Sequence, residues 1–358
     1  MPGVYISYPF CSQKCSFCNF ASGVSAPETI AQYQSALLAE IGRHAWAWQP
    51  ATLYVGGGTP SLMPAYFLRE LTAAIPRAQI TESTLECAPG TVTPEAVANW
   101  RTCGINRVSL GVQSFVTREL RQTGRRHDCH IVQRELELLR SGGIGNVNID
   151  LIAGLPEQTL ASMDESLQWI ERLAPPHVSL YIFEIDEDSR LGNEILLGGQ
   201  RYGAPRVPND ELTAQLYEKA SQTLRRMGYH HYEISNYAHA GFESRHNLKY
   251  WLLEPYVGFG LDAHSFDGRN RYSNADTFAG YFKAEKAEQP ASDPSEEHFF
   301  VGLRLLDGIE PTVDEWQRFA QPIEKWERAG MLERAGAKLR LTPPAVLISN
   351  EIFQEFLP

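Results

Sequence analysis

Three cysteines, Cys11, Cys15 and Cys18, fall within eight positions of the stretch PFCSQKCSFCNF. Thiolates at that density suit zinc or an iron–sulfur cluster. A structural zinc site closes on four ligands, typically two separated pairs, and no second cysteine pair occurs in the chain. A cuboidal four-iron cluster on three thiolates leaves one iron open to a non-protein ligand. The remaining cysteines, Cys87, Cys103 and Cys129, stand singly and read as small buried hydrophobes. Other chemistry-bearing residues sit at the ends of strand-like runs: Gly57, Gly58 and Thr59 in YVGGGTPS, Glu86 in LECAPG, Gln113 in GVQSF, Arg125 in TGRRH and Asp150 in IDLIAGLP. The glycine run lets a ligand approach the backbone closely. It lacks the Lys-Ser/Thr pair of a phosphate loop. Carboxylates there can accept from a ribose hydroxyl or an ammonium, and an arginine can pair with a ligand carboxylate.

The open iron position suits a chelating cosubstrate such as S-adenosylmethionine, whose amino and carboxylate groups can bind it. Reduction of its sulfonium C–S bond would then yield a 5′-deoxyadenosyl radical. The elements that must hold this constellation alternate. GVYISY, TLYVGG, STLECA, RVSLGVQ, NVNIDLIAG and HVSLYIFEI read as strands, with amphipathic helical stretches between them. Such alternation predicts an α/β fold, a partial (open) parallel β/α barrel of about six units, with ligand residues at the carboxyl ends of the strands. Residues 190–208, rich in Gly and Pro, read as a loop or linker, and Asn209 as the N-cap of the next helix. After HYEISNYA the alternation stops. From about residue 295 the pattern reads helix, helix, short hairpin, helix: a smaller C-terminal α/β module, helical and winged-helix-like. These signals divide the chain into a barrel over 1–235 and a C-terminal region over 236–358.

The spacing C-x3-C-x2-C just after a first strand resembles the signature of the radical S-adenosylmethionine superfamily. The succession GGGTP, LExxPG, GVQSF, GRxH and DLIxGLP resembles the oxygen-independent coproporphyrinogen III oxidase (HemN-like) group over nearly the whole chain. Within it, YEISNYA followed by HNLKYW (246–251) is most similar to heme chaperones of the HemW type. The resemblance implies a [4Fe–4S] cluster on Cys11, Cys15 and Cys18. It implies S-adenosylmethionine held by Tyr5, Gly57 and Glu86. Phe17, Gly58, Thr59, Gln113, Arg125 and Asp150 match positions that hold it or a second molecule of it. His246 is the candidate ligand for heme iron, with Tyr250 and Trp251 flanking the macrocycle. Three places depart from the family pattern: Ser7 for a usual histidine, Asp262 for a glycine in GLDAHS, and ECAPG for EANPG.

The implied function is a heme chaperone that binds heme as cargo and delivers it to respiratory enzymes. The alternatives are porphyrinogen oxidative decarboxylation and radical C-methylation. Porphyrinogen oxidation is disfavoured: oxidases carry a further cysteine where this chain has Phe20, and a longer N-terminal extension. Whether the cluster drives turnover, and whether the chain is a homodimer or touches a membrane peripherally, stays open. The net charge of −11, with 43 acidic against 32 basic residues, argues against nucleic acid. No apolar run approaches the ~18–20 residues of a membrane span and no secretory signal opens the sequence, so the expected location is the cytoplasm.

Overall fold

The computed structural model describes residues 2–288 and 293–357. Twelve strands make one sheet: β1 (Gly3–Tyr8), β2 (Thr52–Gly57), β3 (Glu82–Cys87), β4 (Arg107–Gln113), β5 (Asn146–Ala153), β6 (His177–Ile182), β7 (His230–Glu233), β8 (Asn236–Ala238), β9 (Tyr256–Phe259), β10 (His264–Phe266), β11 (Arg271–Asn274) and β12 (Lys286–Glu288). Their order is β12-β11-β10-β9-β1-β2-β3-β4-β5-β6-β8-β7. β1 to β6 run parallel in sequence order, joined by crossover helices, as the alternation requires. The barrel is open: β7 and β12 are the ends of the strand order and do not pair with each other.

Strand periodicity explains how one sheet carries both core and site. Val4, Ile6, Leu53, Val55, Leu85, Val108, Leu110, Val147, Ile149, Val178 and Leu180 are buried in the hydrophobic core. The alternate positions are polar: Tyr5 on β1; Thr52 and Tyr54 on β2; Glu82, Thr84 and Glu86 on β3; Arg107 and Ser109 on β4; Asn148 and Asp150 on β5; His177, Ser179 and Tyr181 on β6. Register sets them side by side, with Tyr5 opposite Tyr54, Glu86 opposite Ser109 and Asp150 opposite Ser179. The barrel interior is therefore a wall of hydrogen-bonding side chains.

Three expectations about the second half change. The boundary at 235/236 cuts the antiparallel pair β7–β8, whose second strand is hydrogen-bonded to β6. Residues 256–288 also belong to the main sheet, where β9 adds a seventh parallel strand beside β1 and β10–β12 follow as antiparallel neighbours. These four strands are only three or four residues long, so each is too short to show a period. Residues 190–208 are not a plain linker: a helix spans Arg190–Leu196, capped by the Ser189 side chain, and a 3-10 segment covers Arg201–Arg206. Asn209 caps the helix Asp210–Arg226, accepting from Leu212 N as expected.

A second apolar core gathers Phe299, Leu303, Phe319, Ile323, Leu339, Ile352, Phe353 and Phe356. Its elements are the helices Pro294–Phe300, Val313–Arg318 and Ala320–Arg328, the hairpin of β13 (Leu332–Ala335) and β14 (Lys338–Leu341), and the helix Ser349–Gln354. It meets the barrel at edge strand β7, where Ile234 N donates to Arg304 O and Leu306 N to Tyr232 O, each at 3.1 Å.

Candidate functional site

The loop after β1 carries the three cysteines and is tied down on several sides. Cys11 N donates to Gly23 O and Gly23 N to Pro9 O, both at 2.9 Å, which closes the loop on itself. Gly58 N reaches Tyr8 O and Thr59 N reaches Phe10 O, also at 2.9 Å, joining it to the glycine run after β2. A Cβ on Gly58 would lie 2.8 Å from Phe10 O and 2.9 Å from the Cys11 sulfur, so this contact requires a residue with no side chain. Gly57 has φ +111°, a conformation open to glycine and little else.

Eleven of the thirteen residues singled out in the sequence line one cavity of about 410 Å³ at the carboxyl ends of the strands: Cys11, Cys15, Cys18, Phe17, Gly57, Gly58, Thr59, Glu86, Gln113, Arg125 and Asp150. Glu86 accepts from Gly57 N and from the Tyr54 hydroxyl, each at 3.0 Å. Burial, and then the nearby charge of Asp150, pushes its carboxyl up to about 7. Burial also raises Asp150, which accepts from Asn148 Nδ2 at 2.6 Å. Lys14, Arg125 and Arg126 line the same cavity. Arg125 Nη1 donates to Gly111 O at 2.9 Å while its Nε, though buried, has no partner. Gln113 has φ +72° beside an irregularity in the β4–β5 register, and its buried Oε1 is likewise unpartnered. An extra backbone kink at a strand end is how a sheet re-aims a side chain.

Tyr5 lies in an adjoining cavity of about 270 Å³ that shares Gly57 and Phe20 with the first and is otherwise walled by Ser7, Tyr250, Tyr256, Asp262 and His264 among others. Two of the family departures thus face the same space. Asp262 has φ +56°, which accounts for a glycine as the usual occupant, and aspartate is among the residues that tolerate it.

His246 belongs to neither lining. It is 1% exposed, with Nδ1 2.8 Å from Thr52 Oγ1 and Nε2 2.9 Å from the Tyr250 hydroxyl. Burial lowers its pKa to about 3, so the ring is neutral. Its N–H and its lone pair are both engaged, so the role of iron ligand expected for it does not fit this packing. The helix Arg245–Trp251 sits against the first residues of β2 and β3, with His246 N donating to Glu82 Oε1 at 2.9 Å, whereas the cavity lies at the other end of the strands.

Several cavity residues escaped notice in the sequence. Tyr181 and Ser109 are inward positions of β6 and β4 that strand alternation marks out. Cys87 also lines the cavity rather than lying wholly within the core. Its thiol is 3.3 Å from Thr91 Oγ1 and burial pushes its pKa to about 12, unlike a ready metal ligand. Cys103 is buried as expected, while Cys129 is only partly so.

Among the described residues no three His, Cys, Asp or Glu side chains converge tightly enough for a single metal ion. A cuboidal cluster asks instead for thiolates spread over separate irons. Three free cysteines on one loop, bordering a cavity with room beside them, fit that demand. The unpartnered Gln113 Oε1 and Arg125 Nε, in a cavity lined by two carboxylates and three basic side chains, fit a polar ligand bearing both an ammonium and a carboxylate.

Comparison with known proteins agrees with this geometry. The family model of the radical SAM superfamily matches residues 5–170, and that of the HemN C-terminal domain matches 290–348. The heme chaperone HemW of Lactococcus lactis is 32% identical, the match covering 99% of this chain and 96% of that protein. The chain belongs to the HemW family. The Bacillus subtilis HemW is 31% identical across 100% of this chain and 99% of its own length. Coproporphyrinogen III oxidase (HemN) from Escherichia coli, a radical SAM enzyme, superposes with a TM-score of 0.83 over 99% of this chain and 89% of its own at 20% identity, which establishes a shared fold. The radical SAM superfamily match over residues 5–170 contains the cysteine loop and all eleven of these cavity residues.

Proposed function

We propose that this protein is a heme chaperone: it holds a [4Fe–4S] cluster and S-adenosylmethionine, binds heme, and passes it to respiratory enzymes. The carrying observation is near full-length similarity to HemW heme chaperones, joined to a cavity that collects eleven residues of the radical SAM pattern. Cys11, Cys15 and Cys18 hold the cluster. Gly57, Gly58 and Thr59 let the methionyl end approach it, Glu86 and Asp150 meet cationic and hydroxyl groups, and Arg125 with Gln113 meets acceptors and donors opposite. When bound, the cluster supplies an electron to the sulfonium and an open iron to its chelating end. Phe20, 64% exposed at the mouth of both cavities, offers an apolar rim where the oxidases of the group place another cysteine. Six free cysteines suit a reducing compartment, and we place the protein in the cytoplasm. Among the described residues no helix is long and apolar enough to cross a membrane.

The test is heme titration of anaerobically reconstituted protein, with porphyrin formation from coproporphyrinogen III assayed beside it. Saturable one-site heme binding without porphyrin formation is the expected result. Porphyrin production without heme binding would return the chain to the oxidase reading.

A further inference from the structure

His246 is the motif residue that the cofactor cavity leaves without a role. Its contacts point upward through the barrel. Tyr54 lies against its face, with ring centroids 5.2 Å apart at 32°, and Tyr250 meets it edge-on at 5.4 Å and 85°. Tyr250 stands four residues on, one turn along the same helix, so its contact with His246 Nε2 is built into the element. Above His246, Tyr54 donates to Glu86 Oε1, and Tyr250 lines the adjoining cavity with Tyr5, Gly57 and Asp262. Thr52 fixes the ring from its other nitrogen. A neutral imidazole can donate once and accept once. Thr52 and Tyr250 use both capacities, and because each hydroxyl can donate or accept, either tautomer of the ring keeps both bonds. One buried ring thereby sets Tyr250 at the cavity wall and packs Tyr54, whose hydroxyl holds the cavity residue Glu86.

We propose that His246 is a positioning residue: clamped by Thr52, it fixes Tyr250 in the wall of the S-adenosylmethionine site and packs Tyr54, which holds Glu86 there, and it does not ligate heme iron. This rests on reading the cavities as that site. Removing the clamp leaves buried polar groups unpaired and lets Tyr250 drift, at a cost to ligand affinity rather than to heme binding.

The experiment measures S-adenosylmethionine affinity by equilibrium dialysis, and by the change the ligand makes in the reduced cluster's EPR spectrum, for reconstituted wild type, His246→Phe, His246→Gln, Thr52→Val and Tyr250→Phe. Heme titration of the same samples follows the Soret band. His246→Phe and Tyr250→Phe should each weaken S-adenosylmethionine binding about tenfold. A variant combining His246→Phe with Tyr250→Phe should lose little more than the worse single one, because both break the same contact. His246→Gln, which retains a donor and an acceptor, should recover part of the loss, and heme affinity and Soret position should not move. Unchanged S-adenosylmethionine affinity in His246→Phe and Tyr250→Phe would overturn the proposal, as would a shifted Soret band on loss of His246 alone. If His246→Phe does not fold, Tyr250→Phe, which removes one hydroxyl, decides. A wild type that binds no S-adenosylmethionine would instead overturn the reading of the cavity, and this inference with it.

Discussion

Glu86 shows how one residue can tie the site to pH. In the unfolded chain its carboxyl ionises near the ordinary glutamate value, whereas in the fold it ionises at about 7. Between those limits the folded state holds a proton that the unfolded state has lost, so stability of the unliganded protein falls as pH rises from about 4.5 to 7, by on the order of 3 kcal/mol. A cationic ligand reverses the preference by favouring the carboxylate. S-adenosylmethionine should therefore bind more tightly as pH rises towards 7, releasing a proton. Calorimetry in buffers of different ionisation heat would detect that release, and Glu86→Gln should abolish it. The cysteines divide as sharply. Cys11→Ala, Cys15→Ala or Cys18→Ala should each lose cluster iron and sulfide, whereas Cys87→Ala should keep both, because its thiol stays protonated beside Thr91. Its membership in the cavity lining was invisible to a reading that scored it as a lone buried thiol.

At the scale of elements, beside the turn at 122–124, where Ser16 N donates to Thr123 O at 3.1 Å and Gln13 Nε2 to Gly124 O at 3.0 Å, the cysteine loop is gripped by two further neighbours distant in sequence. The glycine run is one. Gly58→Ala would press a methyl against backbone atoms of Pro9 and Phe10 that cannot rotate away, so iron loading should fall severalfold, while Gly23→Ala, with nothing within 4 Å of its Cβ position, should load normally. The segment after β6 is the other. Asn19 Nδ2 donates to Asp186 Oδ2 at 2.6 Å, Leu191 N donates to Ser16 O at 2.7 Å, and Arg190 donates to Lys14 O. A loop holding thiolates without their metal loses order, and whatever packs on it should loosen too. Limited proteolysis near the exposed Leu196 and Leu197 should thus run faster in cluster-free protein than in reconstituted protein. The linker reading of 190–208 failed because a seven-residue helix among glycines and prolines has too few turns to display a period. It is held by its cap and by the cysteine loop, neither of which is local.

Across the whole molecule, two cores meet along β7, and Glu233 lies between them wholly buried. Burial, opposed in part by the Arg304 charge, pushes its carboxyl up to about 7. The ionised form is the costly one, so Glu233→Gln should raise the melting temperature at pH 8 by an amount worth roughly 1–3 kcal/mol and leave it nearly unchanged at pH 5. A melt that responds to the substitution equally at both pH values would contradict that account.

The sequence alone determined whatever depends on short-range chemistry. Periodicity placed β1, β2 and β4 residue for residue, the cysteine spacing singled out a loop that borders the cavity, and strand ends supplied nearly all of the rest of its lining, because in a parallel sheet the carboxyl ends of successive strands must converge on one side. Tertiary structure decided what chain-distant contacts decide. It returned β9–β12 to the sheet beside β1, stacked Thr52, His246 and Tyr250 beneath the cavity, and placed Tyr5 in a second chamber. A histidine in a short motif looks the same whether its nitrogens are open or filled; only the residues folded against it make the difference, and Thr52 is 194 positions away.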